Sequence, residues 1–147
     1  MRLEIKKVKT LRTLETHARY ERHRKSSDFP KCFLCEASPL KKFKYWKVVE
    51  NQFPYDEVAT MSHMVVSLRH APEEELTPAE IREYKKVKNE CREDYDMIIE
   101  NTRKQKSIPS HHHLHLLQIK ERENICEEKR PPAAFLTPRY SEVEAPP

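Results

Sequence analysis

Four of the chain's eight histidines fall within five residues, in the stretch KSIPSHHHLHLLQIK from Lys106 to Lys120. An imidazole has an unperturbed pKa near about 6.5, so around neutral pH it serves as nucleophile, proton carrier or metal ligand. The spacing narrows the choice. His111, His113 and His115 are two residues apart, with Leu114, Leu116, Leu117 and Ile119 between and after them. Residues two apart on a strand share a face. Three imidazoles in a row could be three ligands of a catalytic metal. Alternatively, one is a nucleophile and the others assist it. A second chemical set is Cys32-x-x-Cys35. Two thiolates can hold one zinc, and a tetrahedral structural site then needs two more ligands. His70, closing VVSLRH, and His111 are the candidates, 34 and 40 intervening residues along from Cys35 and His70 respectively. Free or redox-active thiols are the other reading of the motif. His17, His23 and His112 read as surface or packing histidines.

The elements that must position these groups are visible in outline. Ile5, Val8, Leu11, Leu14 and Ala18 recur every three or four residues and predict a basic, amphipathic N-terminal helix within residues 1–29. KCFLCEASP reads as a tight metal-binding turn. KYWKVVEN and HMVVSLRH read as strands, joined by a loop through QFPYDEVATMS. LTPAEIREYKKVKNECREDYDMIIEN is the clearest helix, with Thr77 as N-cap, Pro78 in the first turn and Glu80 completing a capping box. Ile81, Tyr84, Val87, Cys91, Tyr95 and Ile98 form its apolar stripe. HHHLHLLQI is a strand that sends His111, His113 and His115 to one face and His112, Leu114 and Leu116 to the other. Trp46 reads as core and Cys91 as an inert buried thiol. From about Glu127, the Pro-rich segment 127–147 reads as an extended tail, pinned by Phe135 and Tyr140.

With 147 residues the chain is one domain plus tails, here 30–126 between the basic helix and the tail. The charge is uneven. Residues 1–47 hold 14 Lys/Arg against 5 Asp/Glu, a net +9, and residues 48–147 hold 14 against 19, a net −5. A basic front end favours polyanions such as nucleotides or nucleic acid, although a solvated helix face has the same composition. No apolar run approaches the roughly 20 residues that span a bilayer, and the N-terminus lacks the apolar block of a signal peptide. The expectation is a cytoplasmic protein with no membrane partner, in which C-x-x-C signals metal or redox chemistry rather than a structural disulfide. Glycine is absent altogether, so any turn with positive φ must use another residue.

Taken together, these blocks resemble the histidine-triad superfamily. His111-x-His113-Leu114-His115-Leu116-Leu117 matches its His-φ-His-φ-His-φ-φ pattern. NQFPYDEVATMSHMVVSLRH is similar to its N-x-Y-P-Y-N-P-G-H-L-L-V-V-P-x-R-H, and KSIPSHHHLH to its approach SIPHLHxH. The resemblance covers about residues 30–120. The C-x-x-C is similar to the zinc-containing branch, on the galactose-1-phosphate uridylyltransferase side. The chain departs from the family in lacking its glycines before His63 and before the three histidines, where Arg103, Lys104 and Lys106 could substitute side-chain charge. A four-residue expansion separates Asn51 from His63, and Ser110 is an extra residue after SIP.

The resemblance implies an α+β fold, an antiparallel sheet with packed helices, a Cys-x-x-Cys zinc knuckle, and the added N-terminal helix and C-terminal tail. It implies that His113 attacks the α-phosphorus of a nucleotide and that His115 hydrogen-bonds the phosphate. Ser107 or Ser110 would be the hydroxyl near the leaving group. Asn51, His63 and Asn101 would contact nucleotide, and Cys32, Cys35, His70 and His111 would hold a structural zinc. The implied function is hydrolysis of a nucleoside phosphoramidate, adenylate or dinucleoside polyphosphate. A nucleotidyl transferase of the same fold, or a zinc-stabilised module binding nucleic acid with adenylated ends through the basic N-terminal region, are the alternatives. A homodimer is implied because the family commonly pairs about a two-fold axis.

Overall fold

The computed structural model describes residues 4–26 and 32–123. The predicted tail 127–147, with Phe135 and Tyr140, and Cys126 lie outside the described residues. Within them the fold is α+β. The elements are α1 (Leu14–Arg24), α2 (Phe33–Glu36), β1 (Lys41–Lys42), β2 (Trp46–Glu50), β3 (Ala59–Ser67), α3 (Pro78–Cys91), β4 (Met97–Ile99) and β5 (His113–Ile119). The five strands form one sheet in the order β1-β2-β3-β5-β4, every pair antiparallel. No described residue has positive φ, so the chain turns without the conformations that glycine would ease.

Strand register divides the sheet into two faces. Val48 pairs with Val65, which pairs with Leu114, and His63 pairs with Leu116. Paired residues share a face, and on this one Trp46, Val48, Val65, Leu114 and Leu116 pack with Tyr84, Val87 and Cys91 of α3. The Trp46 ring stacks on Tyr84 with centroids 4.6 Å apart, and its indole N–H donates to the Glu80 carbonyl at 2.9 Å. Helix α3 starts where its capping box predicts. Glu80 N–H donates to Thr77 Oγ and Thr77 N–H to the Glu80 carboxylate.

The other face carries Val49, Met64 and Val66, covered by Leu34 of the short Cys32–Cys35 turn. Lys47 shares this face. Its stem is buried and its ammonium donates to the Ala37 and Cys35 carbonyls at 2.9 and 3.3 Å, tying the turn to β2.

Three expectations need correction. Residues 4–13 are not helical. The helix begins after Thr13, whose hydroxyl accepts from Thr16 N–H, and Asp56 accepts from the Thr13 backbone N–H at 2.8 Å. It buries Thr16 and Tyr20, while Ile5 and Leu14 of the expected stripe are 88% and 72% exposed. The loop expected through QFPYDEVATMS gives way at Ala59 to β3. Helix α3 stops at Cys91, and Met97–Ile99 is an edge strand on β5, held by Asp96 N–H to the Leu117 carbonyl and by the Asp96 carboxylate, which accepts from Ile119 N–H.

Among the described residues, no helix is long and apolar enough to cross a membrane.

Candidate functional site

The histidine run crosses from loop into strand. His111 and His112 precede β5, with His112 N–H donating to the Ala71 carbonyl at 2.8 Å, and His113 opens the strand. The alternation holds. His112 turns to the α3 face, edge-on to Trp46 and Tyr84 at 5.9 and 5.3 Å. His113 and His115 pair with Val66 and Met64 on the opposite face, and their rings lie 5.3 Å apart. His111 also lies away from α3, against His70 at 5.0 Å.

His111 belongs to a metal-competent cluster. One donor atom each from Cys32, Cys35, His70 and His111 falls within a set whose members are all within 4.8 Å of one another. Cys32 Sγ is 3.3 Å and Cys35 Sγ 3.5 Å from His111 Nδ1, and Cys35 Sγ is 3.3 Å from His70 Nδ1. A tetrahedral ion bonded to sulfur at about 2.3 Å and to nitrogen at about 2.0–2.1 Å sets S···N edges of about 3.6 Å. The donors therefore sit at nearly the spacing of a four-coordinate cage. His111 Nε2 lies 2.7 Å from the Ser67 carbonyl. That carbonyl accepts a hydrogen bond from Nε2–H, which leaves Nδ1 as the ligating nitrogen. Burial pushes the Cys35 thiol pKa up, and the neighbouring Cys32 adds to the rise. A cation between the two sulfurs is what would reverse this. The four residues can thus hold a metal ion.

His113 and His115 stand apart from that cluster. Their burial disfavours the imidazolium, lowering the pKa of His113 and pushing that of His115 down to about 3. His113 Nδ1 lies 2.9 Å from the His111 carbonyl. His115 Nε2 lies 3.0 Å from Tyr55 Oη, and Asn101 Nδ2 donates to the same oxygen at 2.9 Å. The tyrosine ring also stacks on His115, with centroids 4.3 Å apart.

Tyr55 is thus a site residue that the sequence reading did not single out. Within NQFPYDE it looked like a loop aromatic, and only the fold brings it to His115. Arg12 is another. Its guanidinium lies 5.0 Å from the Tyr55 ring centroid and 4.6 Å from that of Tyr20, and its Nε–H donates to the Phe53 carbonyl at 2.7 Å.

The remaining candidates separate. Asn101 joins the site through Tyr55. Ser107 lines a cleft together with Tyr55 and Asn101, while Ser110 is exposed and does not line it. The buried Asn51 amide is committed locally, accepting from Phe53 N–H at 3.0 Å and donating to Ser62 Oγ at 3.4 Å. His63 is a correction. Its pairing with Leu116 puts it on the α3 face, away from His113 and His115, where its Nδ1 meets Tyr95 Oη at 2.6 Å. Of the basic loop residues, Arg103 pairs with Glu74, and Lys106 meets Glu73 and His112 at 3.4 and 3.2 Å.

No protein-family model, curated protein or solved structure matches the chain.

Proposed function

We propose that this protein is a nucleotide hydrolase of the histidine-triad type, acting through a nucleotidyl-histidine. The observation that carries the reading is the contact of His113 Nδ1 with the His111 carbonyl. A carbonyl oxygen only accepts, so Nδ1 holds the proton and Nε2 keeps its lone pair. His113 is thereby prepared as a neutral nucleophile without needing a separate base.

In the first step the Nε2 lone pair attacks the α-phosphorus of a nucleoside phosphoramidate, adenylate or dinucleoside polyphosphate. A P–N bond forms as the bond to the leaving group breaks, and the leaving group departs with the electron pair. In the second step water attacks phosphorus and the P–N electrons return to Nε2. The proton that water loses is the one the leaving group finally gains. Positioning and charge stabilisation supply most of the rate in such displacements. His115 suits that role. Asn101 donates to Tyr55 Oη, so the tyrosine proton is directed to His115 Nε2. Nδ1–H of His115 then has no acceptor among the described residues, and a phosphoryl oxygen would provide one.

The metal is zinc in this reading, because two thiolates and two imidazoles suit a borderline-soft ion. Bound by four protein ligands it would have no open position, so it would fix the backbone of His111, and with it the carbonyl that orients His113, rather than activate water. A nucleotidyl transferase would share the first step and differ in its acceptor. His115 stands where transferases of the uridylyltransferase kind carry glutamine, which favours water.

The test is mass spectrometry after brief mixing with a panel of nucleoside phosphoramidates and adenylates. A nucleotidyl adduct on His113, absent from His113→Ala, is expected. Turnover that survives in His113→Ala, or no adduct and no turnover with any member, defeats the reading.

A further inference from the structure

Beside the histidines lies a cleft of about 520 Å³ whose charge comes from both the N-terminal arm and the loop after β4. Lys9, Arg12 and Arg24 line it from the N-terminal arm and α1, and Lys104 and Lys106 from the loop after β4. Among the described residues no Asp or Glu lines it, although the chain has 24 such residues to place against its 28 Lys and Arg. Gathering like charges with few counter-charges raises the energy of the folded state unless an anion completes the site.

The individual groups support that view. Neither Lys9, Arg12 nor Lys104 makes an ion pair among the described residues, and the Arg24–Glu21 contact is a loose 3.8 Å. Lys106 is already turned to Glu73 and His112. Arg12 is held between two tyrosine rings and by its Nε–H, and its two terminal nitrogens have no hydrogen-bond partner among the described residues. A guanidinium fixed in this way is a pre-organised fork for a phosphate. Cations supplied from two separate stretches of chain call for a ligand with several negative charges.

We propose that this cleft binds a chain of phosphates, either a linear polyphosphate or the backbone of a single-stranded nucleic acid, passing over Tyr55 beside His115. The site does not depend on the chemistry proposed above. If that chemistry holds, the cleft names the polyanionic part of the substrate.

Calorimetric titration with tripolyphosphate and, separately, with a ten-residue oligothymidylate tests it on the full chain. The Lys9→Glu/Lys104→Glu variant should bind at least tenfold more weakly. Lys85→Glu/Lys86→Glu, with the same change in net charge on α3 across the sheet, should bind like the parent. With four phosphates engaged at a log–log slope of about −0.7 each, oligothymidylate binding should weaken about 50-fold between 50 and 200 mM salt. Binding of only one probe identifies the source of the phosphates. No binding of either, or equal losses in the two variants with both folded by circular dichroism, overturns the proposal. His113→Ala should still bind, so failure of the site and failure of the catalytic reading are separate results.

Discussion

The Tyr55 hydroxyl links the histidine face to the loop after β4, joining His115 to Asn101. Tyr55→Phe keeps the ring stack and removes only that link. It leaves a nitrogen of the fully buried His115 without its donor, which costs roughly 1–3 kcal/mol. It also frees His115 to change tautomer, so adduct formation on His113 should slow by about a hundredfold, at the lower end of the range for positioned acid–base groups. Chemical denaturation and rapid-quench mass spectrometry read the two effects. Unchanged stability and rate would mean that the contact is incidental. His112 shows the contrary case of a histidine in the same run with a packing role. It is wedged against Trp46 and Tyr84, so His112→Ala should cost roughly 3 kcal/mol, as other large-to-small core changes do, with the adduct yield per folded molecule retained. Parity along the strand decided these roles and was legible from the alternation itself. The expectation for His63 rested on the family resemblance and not on parity. Its face depends on which residue of β5 it pairs with, and one sequence does not print a register.

At the level of elements, local signals were read well and long-range ones poorly. The Thr77–Glu80 box is written within four residues, and it forms. Strand β4 was hidden because Tyr95 and Ile98 continue the apolar spacing of α3. Both pack against the same core as the helix, but from beyond its end, Ile98 on a strand. The Cys32–Cys35 turn was legible as a ligand pair, and its partners were inferable only as histidines near strand ends. If the four-residue site holds a closed tetrahedral ion, purified protein should carry about one metal per chain. His70→Ala should lose it and melt at lower temperature, with metal content measured by plasma mass spectrometry. Helix α1 offers a pH-dependent counterpart. Burial raises the Asp56 pKa, but hydrogen bonds from the Thr16 hydroxyl and from the Thr13 backbone and hydroxyl outweigh it, and the net shift is downward. A depressed folded pKa stabilises the clasp above the ordinary carboxylate range and releases it as pH falls through the folded value. The protection of the α1 amides, relative to their intrinsic exchange rates, should therefore be high at pH 7 and fall as the pH drops below the ordinary carboxylate range. Asp56→Asn should show low protection throughout. Equal protection in the two proteins at pH 7 would count against the clasp.

For the whole molecule, the consequence is that the N-terminal arm lies over the histidines. His115, Tyr55, Arg12 and Tyr20 form a continuous stack from the sheet outward, and His113 and His115 are only 3% and 1% exposed. A substrate as large as a nucleotide cannot reach His113 Nε2 without movement of that cover. If the proposed chemistry holds, arm opening becomes a step in turnover, as with other elements that close over a site. The arm is fastened mainly at its end, through Asp56 to Thr13 and Thr16, and by Arg12 to Phe53. Weakening the Asp56 fastening should raise access without altering the histidines themselves. Acylation by diethyl pyrocarbonate, mapped by peptide mass spectrometry, gives the accessible fraction residue by residue. Modification of His113 and His115 should be slow in the parent and several-fold faster in Asp56→Asn, while solvent-facing His70 changes little in a metal-loaded sample. If the two buried histidines react equally fast in both proteins, the arm is not their cover, and access must come from the β4–β5 side instead.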